Sequence, residues 1–164
     1  AGFQWLPALA RNGLGAVLAD DMGLGKTIQA IATCCAFRRD WPVLVLVPNS
    51  VRLVWADELE RWIPDIGPGG VSVIRSGTDL HDLSQNTASF YIMTYGILTR
   101  ASAVREFLRE RSDFFKMMVL DESHMIKNKT AARTKEVMQL AKGMSRVILL
   151  SGTPALARPL ELYC

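Results

Sequence analysis

The sequence has few of the features that mark secreted, zinc-binding or membrane-spanning proteins. It contains three cysteines, and the neighbours Cys34 and Cys35 fit neither the ligand spacing of a zinc site nor a disulfide framework. We therefore expect small apolar thiols in a reducing, intracellular compartment. The apolar runs near Val43 and Val119 are far too short to cross a bilayer. Residues 1–20 lack the basic start and the long apolar centre of a secretory signal.

A strong charge, internal repeats and low-complexity segments are also lacking. The formal net charge is +3, which permits a nucleic-acid partner but does not by itself argue for one. With 164 residues, of which 49% are hydrophobic and 21% charged, the chain has the size and composition of one globular domain. Because it starts at Ala1 and stops at Cys164 within a predicted helix, we expect a fragment of a longer protein.

Apolar runs typical of buried strands alternate along the chain with segments of helical periodicity. This alternation predicts an α/β domain, a three-layer sandwich in which helices cover both faces of a mainly parallel sheet. Residues 76–88 are polar and are predicted to form a loop. The predicted strands are 16–19, 43–47, 71–74, 90–94, 114–120 and 146–150. The predicted helices are 2–10, about 26–38, 51–62 with Ser50 as its N-cap, 96–111 and 130–140.

Residues 20–27, Asp-Asp-Met-Gly-Leu-Gly-Lys-Thr, connect the first predicted strand to the next helix. This context predicts a phosphate-binding P-loop. Gly23 and Gly25 let backbone N–H groups approach phosphate oxygens, and the positive end of the helix points to the same place. Lys26 is placed to reach the outer phosphates, and the Thr27 hydroxyl is placed to ligate Mg²⁺. The nucleotide-binding candidates are Asp20, Asp21, Met22, Gly23, Leu24, Gly25, Lys26 and Thr27.

The match to the P-loop pattern is incomplete at one position. The usual pattern is G-x-x-x-x-G-K-[ST], and Asp20 stands where the first glycine is expected. By itself, the stretch therefore leaves open a second interpretation, a helix N-cap loop that contains a lysine by chance.

A second motif, Asp121-Glu122-Ser123-His124, directly follows the apolar run 117–120. An acidic pair after a buried strand is the Walker B arrangement, in which Asp121 holds hydrated Mg²⁺ and Glu122 polarises the attacking water. Since neighbouring side chains of a strand point in opposite directions, a turn must begin here to aim both carboxylates inward. His124 either couples the nucleotide state to another lobe or satisfies a local hydrogen bond. A lone Asp-Glu pair would suggest a solvated turn, but the upstream Gly-Lys-Thr argues against that.

Several unusual residues, most of them polar, directly follow predicted strands. In parallel α/β sheets, ligands bind at the carboxyl ends of the strands. The sequence therefore predicts one site at one edge of the sheet. The residues that follow strand ends are Asp20, Pro48, Asp121 and Ser151.

Three motifs occur in an order that resembles one family. Asp-Asp-Met-Gly-Leu-Gly-Lys-Thr, Asp-Glu-Ser-His and Ser-Gly-Thr-Pro (residues 151–154) together resemble the Swi/Snf-type helicase-like ATPases of helicase superfamily two. The resemblance covers nearly the whole chain, and that family tolerates an acidic residue at the position of Asp20. Further matching segments are Val47-Pro48-Asn49-Ser50 with Trp55 downstream, Met93-Thr94-Tyr95 with Leu98, and Met125-Ile126-Lys127-Asn128.

A narrower resemblance rests on fewer residues. Ser123 and residues 154–162 are most similar to the HARP-like annealing-helicase subgroup, which rewinds DNA at stalled replication forks. The resemblance implies a DNA-dependent ATPase or translocase that uses ATP and Mg²⁺, remodels or anneals DNA, and is nuclear in a eukaryote.

The family also implies that the chain is the first of two RecA-like lobes. The strand ending at Leu150 would then lie between the P-loop strand and the strand before Asp121. The resemblance gives Ser151, Gly152 and Thr153 the task of coupling γ-phosphate loss to DNA-contacting loops. Without the resemblance, these three residues would suggest an ordinary turn.

Two elements of the family are expected outside residues 1–164. The glutamine motif that recognises adenine is expected upstream, because Gln4 falls inside the first predicted helix. The second RecA-like lobe, which supplies an arginine finger, is expected downstream.

The resemblance implies DNA contact for the loops that follow the strands ending at Val47 and Thr94. Hydroxyls, backbone N–H groups and cations suit phosphate contacts, and the sequence has no aromatic pattern for base readout, so we expect binding without sequence preference. For the lysines, a solvated face is the alternative interpretation. The candidates are Ser50, Arg52, Thr94, Tyr95 and Lys127, with Lys129 extending the surface.

Two other functions stay open at this point. One is a P-loop ATPase that acts on protein rather than DNA. Whether DNA stimulates ATP hydrolysis would distinguish it from a DNA-dependent ATPase. The other is a non-catalytic nucleotide-binding module, which the continuation of the chain would discriminate.

Overall fold

The computed structural model describes residues 16–19, 25–85, 87–126 and 131–152. Strands and helices alternate through these ranges as predicted. The strands are β1 (Ala16–Ala19), β2 (Val43–Val47), β3 (Val71–Val73), β4 (Phe90–Thr94), β5 (Met117–Leu120) and β6 (Arg146–Ser151). The α-helices are α1 (Lys26–Ala36), α2 (Arg52–Trp62), α3 (Leu80–Gln85), α4 (Tyr95–Arg100), α5 (Ser102–Glu110) and α6 (Ala132–Ala141). Short 3-10 turns occupy Arg38–Asp40, Asn49–Val51 and Ser123–Ile126.

The described strands form one six-stranded sheet in the order β1-β6-β5-β2-β4-β3, and neighbouring strands are parallel. The predicted position of the last strand, between the P-loop strand and the strand before Asp121, is therefore confirmed. Strands β2, β4 and β5 are buried at every position. Burial on both faces explains why their sequences are continuous apolar runs rather than alternating ones.

Helices cover both faces of the sheet, and each face has its own apolar core. One core packs Ile31 of α1 and Leu59 of α2 against Val119 of β5. The other packs Leu98 of α4 against Met118, the preceding residue of β5. Because successive strand residues point to opposite faces, a single strand supplies both cores, as a three-layer sandwich requires.

The cysteines in the described ranges behave as predicted. Cys34 is buried, Cys35 is half-buried, and both are free thiols. Burial raises the pKa of each thiol above its ordinary value. Both side chains are therefore uncharged apolar groups at neutral pH. Cys164 lies outside the described residues.

The predicted loop over residues 76–88 is wrong at residues 80–85, where α3 forms. Asp79 Oδ2 accepts hydrogen bonds from the backbone N–H groups of Arg75 and Ser76, at 2.7 and 3.1 Å. These bonds, first that from Arg75, lower the pKa of Asp79 and close a turn ahead of α3. The helix buries Leu83, and one buried leucine gives too little periodicity to be recognised in a sequence.

The predicted helix over residues 96–111 is two helices. Thr94 Oγ1 accepts a hydrogen bond from the Ile97 N–H at 3.2 Å and so caps the first of them, α4. Ala101, with an extended ψ of 95°, separates α4 from α5. The apolar spacing continues across this break, which is why the pattern suggested one helix.

The predicted N-cap of α2 is also wrong. Ser50 lies in the 3-10 turn Asn49–Val51, and the cap position belongs to Val51. A 3-10 turn commonly precedes an α-helix and moves its first residue along the chain. The predicted helix over residues 2–10 lies outside the described residues.

None of the helices in the described part of the chain combines the length and the apolar composition needed to cross a membrane.

Candidate functional site

The carboxyl ends of the central strands lie along one edge of the sheet. Ala19 at the end of β1 pairs with Ser151 of β6, and Leu120 at the end of β5 pairs with Leu149 of β6. Because these strands are parallel, the carboxyl ends of β1 and β5 lie at the same edge as Ser151. The residues brought to this edge include Lys26, Asp121, Glu122 and Ser151.

Lys26 opens α1 and reaches the end of the neighbouring strand. Its ammonium Nζ donates a hydrogen bond to the backbone carbonyl of the buried Ser151 at 3.3 Å. Gly25 before it has a φ of 71°, in the left-handed region that favours glycine. Gly25 holds the N-cap, and the first turn of α1 carries no acidic residue. The positive end of the helix and the ammonium of Lys26 together suit an anion such as phosphate. Thr27 follows in the same turn and is half-buried.

Asp121 is the first residue after β5, and hydrogen bonds to its main chain and its side chain hold it in place. Its N–H donates to the Leu46 carbonyl at 2.9 Å, at the end of the pairing between β2 and β5. Its carboxylate Oδ2 accepts from the indole Nε1 of Trp55 at 2.8 Å, and Oδ1 accepts from the Glu122 N–H at 2.8 Å. The side chain is therefore held in one orientation at the sheet edge.

The surroundings of Asp121 act on its acidity in opposite directions. Burial, the largest influence, raises the pKa of the carboxyl above its ordinary value. The hydrogen bonds from Trp55 and from the Glu122 N–H favour the ionised form and lower the pKa. The negative charge of Glu122 raises it, and the positive charge of Lys26 lowers it.

Glu122 makes the turn that the sequence predicts here. Its φ is 48°, which places a residue with a full side chain in the left-handed region. Such a conformation costs about 1–3 kcal/mol and concentrates at functional sites. It ends the alternation of the strand directly after Asp121, so the turn predicted for the two carboxylates is confirmed.

His124 contacts the carboxylate of Glu122. Its Nδ1 lies 3.0 Å from Glu122 Oε2, and both side chains are partly exposed. Two roles were considered for His124, coupling to another lobe and a local hydrogen bond. The contact with Glu122 agrees with the local hydrogen bond. Ser123 is half-buried and begins the 3-10 turn Ser123–Ile126.

Two aromatic residues that meet Asp121 were not predicted to do so. Trp55 lies on α2 and is 2% exposed, and Tyr95 opens α4 and is 1% exposed. The Tyr95 hydroxyl donates to the backbone carbonyl of Asp121 at 2.7 Å. Trp55 lies 66 positions and Tyr95 26 positions from Asp121 along the chain, so no local pattern in the sequence signals either contact.

The residues predicted to contact DNA fall into two groups. Ser50 is exposed and Arg52 is half-buried, at the turn that follows β2. Thr94 and Tyr95 are buried, and both hydroxyls are hydrogen-bonded inside the lobe. These contacts give no support to DNA binding by the Thr94 and Tyr95 side chains.

Several predicted site residues lie outside the described residues. They are Asp20, Asp21, Met22, Gly23, Leu24, Lys127, Lys129 and Thr153. Gly152 is described and follows Ser151 directly after β6.

The donors at this edge suit a hydrated Mg²⁺ bound together with phosphates. Mg²⁺ prefers hard oxygen ligands and commonly uses one or two protein carboxylates plus waters and phosphate oxygens. Asp121 offers a half-buried carboxylate, and Thr27 offers a hydroxyl. Within the described ranges, no three His, Cys, Asp or Glu side chains cluster as they would in an all-protein metal site. A carboxylate together with a hydroxyl fits a cation that is bound jointly with phosphate oxygens.

Comparison with known proteins gives one family match over the whole chain. The model of the SNF2-related domain matches residues 1–164.

The curated relatives are much longer than the chain. It is 44% identical over 156 residues to the SWI/SNF-related matrix-associated actin-dependent regulator of chromatin subfamily A-like protein 1 of Xenopus tropicalis. It is 41% identical over 157 residues to the DNA annealing helicase and endonuclease ZRANB3 of Homo sapiens. Each alignment covers 95% of the chain, but the chain spans only 15% and 14% of these relatives.

Solved structures share the fold. The Sulfolobus solfataricus SWI2/SNF2 ATPase core in complex with dsDNA superposes with a TM-score of 0.75 at 30% identity. That match covers 96% of the chain and 31% of the solved one. The UvsW helicase from bacteriophage T4 superposes with a TM-score of 0.67 at 16% identity, over 96% of the chain and 55% of the helicase. At this identity the match shows a similar fold and nothing further.

Proposed function

The chain belongs to the SNF2-related domain family, and from this premise we propose that it is the ATP-binding and hydrolysing lobe of a DNA-dependent ATPase. The observation that carries the proposal is the meeting of Lys26, Asp121 and Glu122 at one sheet edge. Lys26 contacts the end of β6 at Ser151, and β6 lies between the P-loop strand β1 and the Asp121 strand β5. This neighbourhood combines an anion site with an acidic pair, which phosphoryl transfer needs.

The nucleotide would be bound through its phosphates. Residues 20–27 and the N-terminus of α1 would surround the β- and γ-phosphates, and Lys26 would offset their charge. Thr27 and Asp121 would hold Mg²⁺, which neutralises charge that develops on the phosphate oxygens. Ser123 and His124, next to the acidic pair, would complete the ATP site.

Glu122 would orient and polarise the attacking water. Its backbone is left-handed directly after Asp121, and its carboxylate Oε2 lies 3.0 Å from the imidazole Nδ1 of His124, which restrains it. A general base acts only within hydrogen-bond reach of the proton that it removes, so this restraint serves positioning.

Coupling to DNA would begin at the end of β6. The Ser151 carbonyl accepts a hydrogen bond from the Lys26 ammonium. Loss of the γ-phosphate would therefore alter the contacts of Ser151 first and then those of Gly152 and Thr153. We propose that this segment passes the nucleotide state to the DNA-contacting loops.

The partners that we propose are DNA and a second RecA-like lobe of the same protein. The relatives named as a chromatin regulator-like protein and a DNA annealing helicase, and the Sulfolobus core solved with dsDNA, support DNA. The activity would be annealing or remodelling of DNA at replication forks or on chromatin, in the nucleus of a eukaryotic cell. Ser50 and Arg52 are the described surface candidates for phosphate contact, and Lys127 is a further one.

Replacing Lys26 by alanine is expected to abolish tight binding of ATP·Mg²⁺ in the full-length protein and to leave the fold intact. The reason is that the ammonium lies at the helix N-terminus, where the outer phosphates would be bound. Calorimetric titration with a non-hydrolysable ATP analogue measures the affinity, and circular dichroism checks the fold.

The control for this variant is Lys116→Ala. Lys116 is exposed and precedes β5, at the opposite edge of the sheet, so its removal changes the net charge equally without touching the site. An unchanged nucleotide affinity in Lys26→Ala would contradict the proposed phosphate site.

DNA should stimulate ATP hydrolysis by the full-length protein. The affinity of the protein for DNA should fall steeply as the salt concentration rises and should not depend on the DNA sequence. Each phosphate contact releases counterions, so the slope of log affinity against log salt should be about −0.7 to −0.9 per contact. Fluorescence anisotropy with duplexes of scrambled sequence at several salt concentrations measures both properties. An affinity that differs strongly between scrambled duplexes at one salt concentration, or hydrolysis that ignores DNA, would argue for one of the alternative functions.

A further inference from the structure

Asp121 is held from both faces of the sheet. Trp55 reaches it from the core that contains α1 and α2, and Tyr95 reaches it from the core that contains α4 and α5. The indole Nε1 of Trp55 donates to the carboxylate Oδ2 at 2.8 Å, and the Tyr95 hydroxyl donates to the backbone carbonyl at 2.7 Å. The two bonds thus fix different parts of the same residue, one its side chain and one its main chain.

Both donors are themselves immobilised by packing. Trp55 is 2% exposed and Tyr95 is 1% exposed, and each belongs to its apolar core. A buried polar atom on such a ring needs a partner, because leaving it unpaired costs free energy. The position of each N–H or O–H is therefore determined by the core, and Asp121 is positioned relative to it.

We propose that Trp55 and Tyr95 are positioning residues that hold Asp121 ready to ligate Mg²⁺. This inference rests on the proposed function, in which Asp121 is the metal-binding carboxylate. The indole occupies Oδ2 and the Glu122 N–H occupies Oδ1, so the carboxylate plane is fixed before any cation arrives. Hydrogen bonds of this kind, made to a ligand rather than to the metal, tune metal affinity in other sites.

The test is the Mg²⁺ dependence of nucleotide binding, which requires no turnover. Binding of a non-hydrolysable ATP analogue to the full-length protein is titrated by calorimetry at a series of Mg²⁺ concentrations and in EDTA. The test variants are Trp55→Phe, which keeps an aromatic ring but removes the indole N–H, and Tyr95→Phe, which removes only a hydroxyl. Asp121→Asn serves as the reference for loss of the metal ligand itself.

The chain supplies matched controls for both variants. Trp41 packs against the same core as Trp55 and donates its indole N–H to the Cys34 carbonyl at 2.9 Å, away from Asp121. Trp41→Phe therefore makes the same chemical change elsewhere. Tyr91 belongs to the same core as Tyr95, and its hydroxyl accepts from the Ala88 N–H at 3.3 Å. Tyr91→Phe is the control for loss of a buried hydroxyl.

We expect Trp55→Phe to raise the Mg²⁺ concentration for half-maximal nucleotide binding by about 10- to 100-fold, the usual effect of losing a hydrogen bond to a ligand. Tyr95→Phe should shift it in the same direction. Nucleotide affinity in EDTA should equal that of the wild type for both, because the phosphate-binding loop is unchanged. The Trp41 and Tyr91 controls should leave the Mg²⁺ dependence as it is.

The outcomes separate this inference from the proposed function. If Asp121→Asn changes the Mg²⁺ dependence while Trp55→Phe and Tyr95→Phe shift it no more than their controls, the positioning role is wrong and the proposed site stands. If Asp121→Asn also leaves it unchanged, the proposed metal ligand is wrong, and this inference is wrong with it. Should Trp55→Phe fail to fold, Tyr95→Phe decides the matter alone.

Discussion

Changing Glu122 to glutamine is expected to leave ATP binding intact and to slow hydrolysis in the full-length protein by about 10²–10⁴-fold. The amide has the same shape and still hydrogen-bonds to water, but it cannot accept a proton or carry the charge that polarises the nucleophile. Because only the side-chain terminus changes, the left-handed backbone at φ 48° and the placement of Asp121 should be kept.

The measurement compares the steady-state hydrolysis rate with the affinity for a non-hydrolysable analogue, in the presence of saturating DNA. Glu110→Gln is the matched control, because it removes the same charge at an exposed position at the end of α5. Wild-type turnover in Glu122→Gln would show that another group positions the water. A loss of nucleotide binding equal to the loss of rate would instead assign Glu122 to binding.

The backbone at Glu122 shows what the sequence could and could not predict. The order of residues, an apolar run followed by two carboxylates, was enough to predict a turn, because a continuing strand would point the carboxylates to opposite faces. The way in which the chain turns, by a left-handed residue with a full side chain, could not be read from it. Such conformations are maintained by the surrounding structure rather than by local preference.

The fold was predictable where one physical rule acts along a continuous segment. Buried parallel strands read as apolar runs, so the predicted ranges agree with β2 and β4. The short polar helix α3 was missed, because the Asp79 turn that precedes it depends on two backbone N–H groups and leaves little periodicity. The position of β6 between β1 and β5 came from the family resemblance, since strand order is not written in any local pattern.

The positions of the charged residues of the candidate site were predictable from the sequence, and the positions of its aromatic residues were not. Lys26 and the Asp121–Glu122 pair follow strand ends, where ligands bind in parallel sheets. Tyr95 also follows a strand end, and the family resemblance implied DNA contact for it there. In the fold, α4 begins at Tyr95 itself and directs the ring into the core, where the hydroxyl meets Asp121. A polar group after a strand can be available to DNA or can turn into the core. Sequence position alone does not distinguish these two cases.

The chain of residues 1–164 by itself is expected to be a poor ATPase that DNA scarcely stimulates. In the proposed function, one lobe supplies Lys26 for the phosphates, Asp121 for Mg²⁺ and Glu122 for the attacking water. We propose that the arginine finger comes from the second RecA-like lobe. Such an arginine is worth about 10³–10⁵-fold in related phosphoryl transfers, or about 4–7 kcal/mol of barrier at 1.36 kcal/mol per tenfold.

The comparison is between residues 1–164 and the same sequence extended through the second lobe, each assayed with and without DNA. With DNA present, the extended protein should hydrolyse ATP about 10³–10⁵-fold faster than residues 1–164 alone. DNA that binds both lobes can bring them together over the nucleotide, whereas a single lobe has no partner lobe to close against. Lys26→Ala in the extended protein is the control for contaminating ATPases. Equal rates and equal stimulation by DNA in the two proteins would place the stabilising arginine within residues 1–164. Arg158, which follows the Ser-Gly-Thr-Pro motif and lies outside the described residues, would then be the first position to replace.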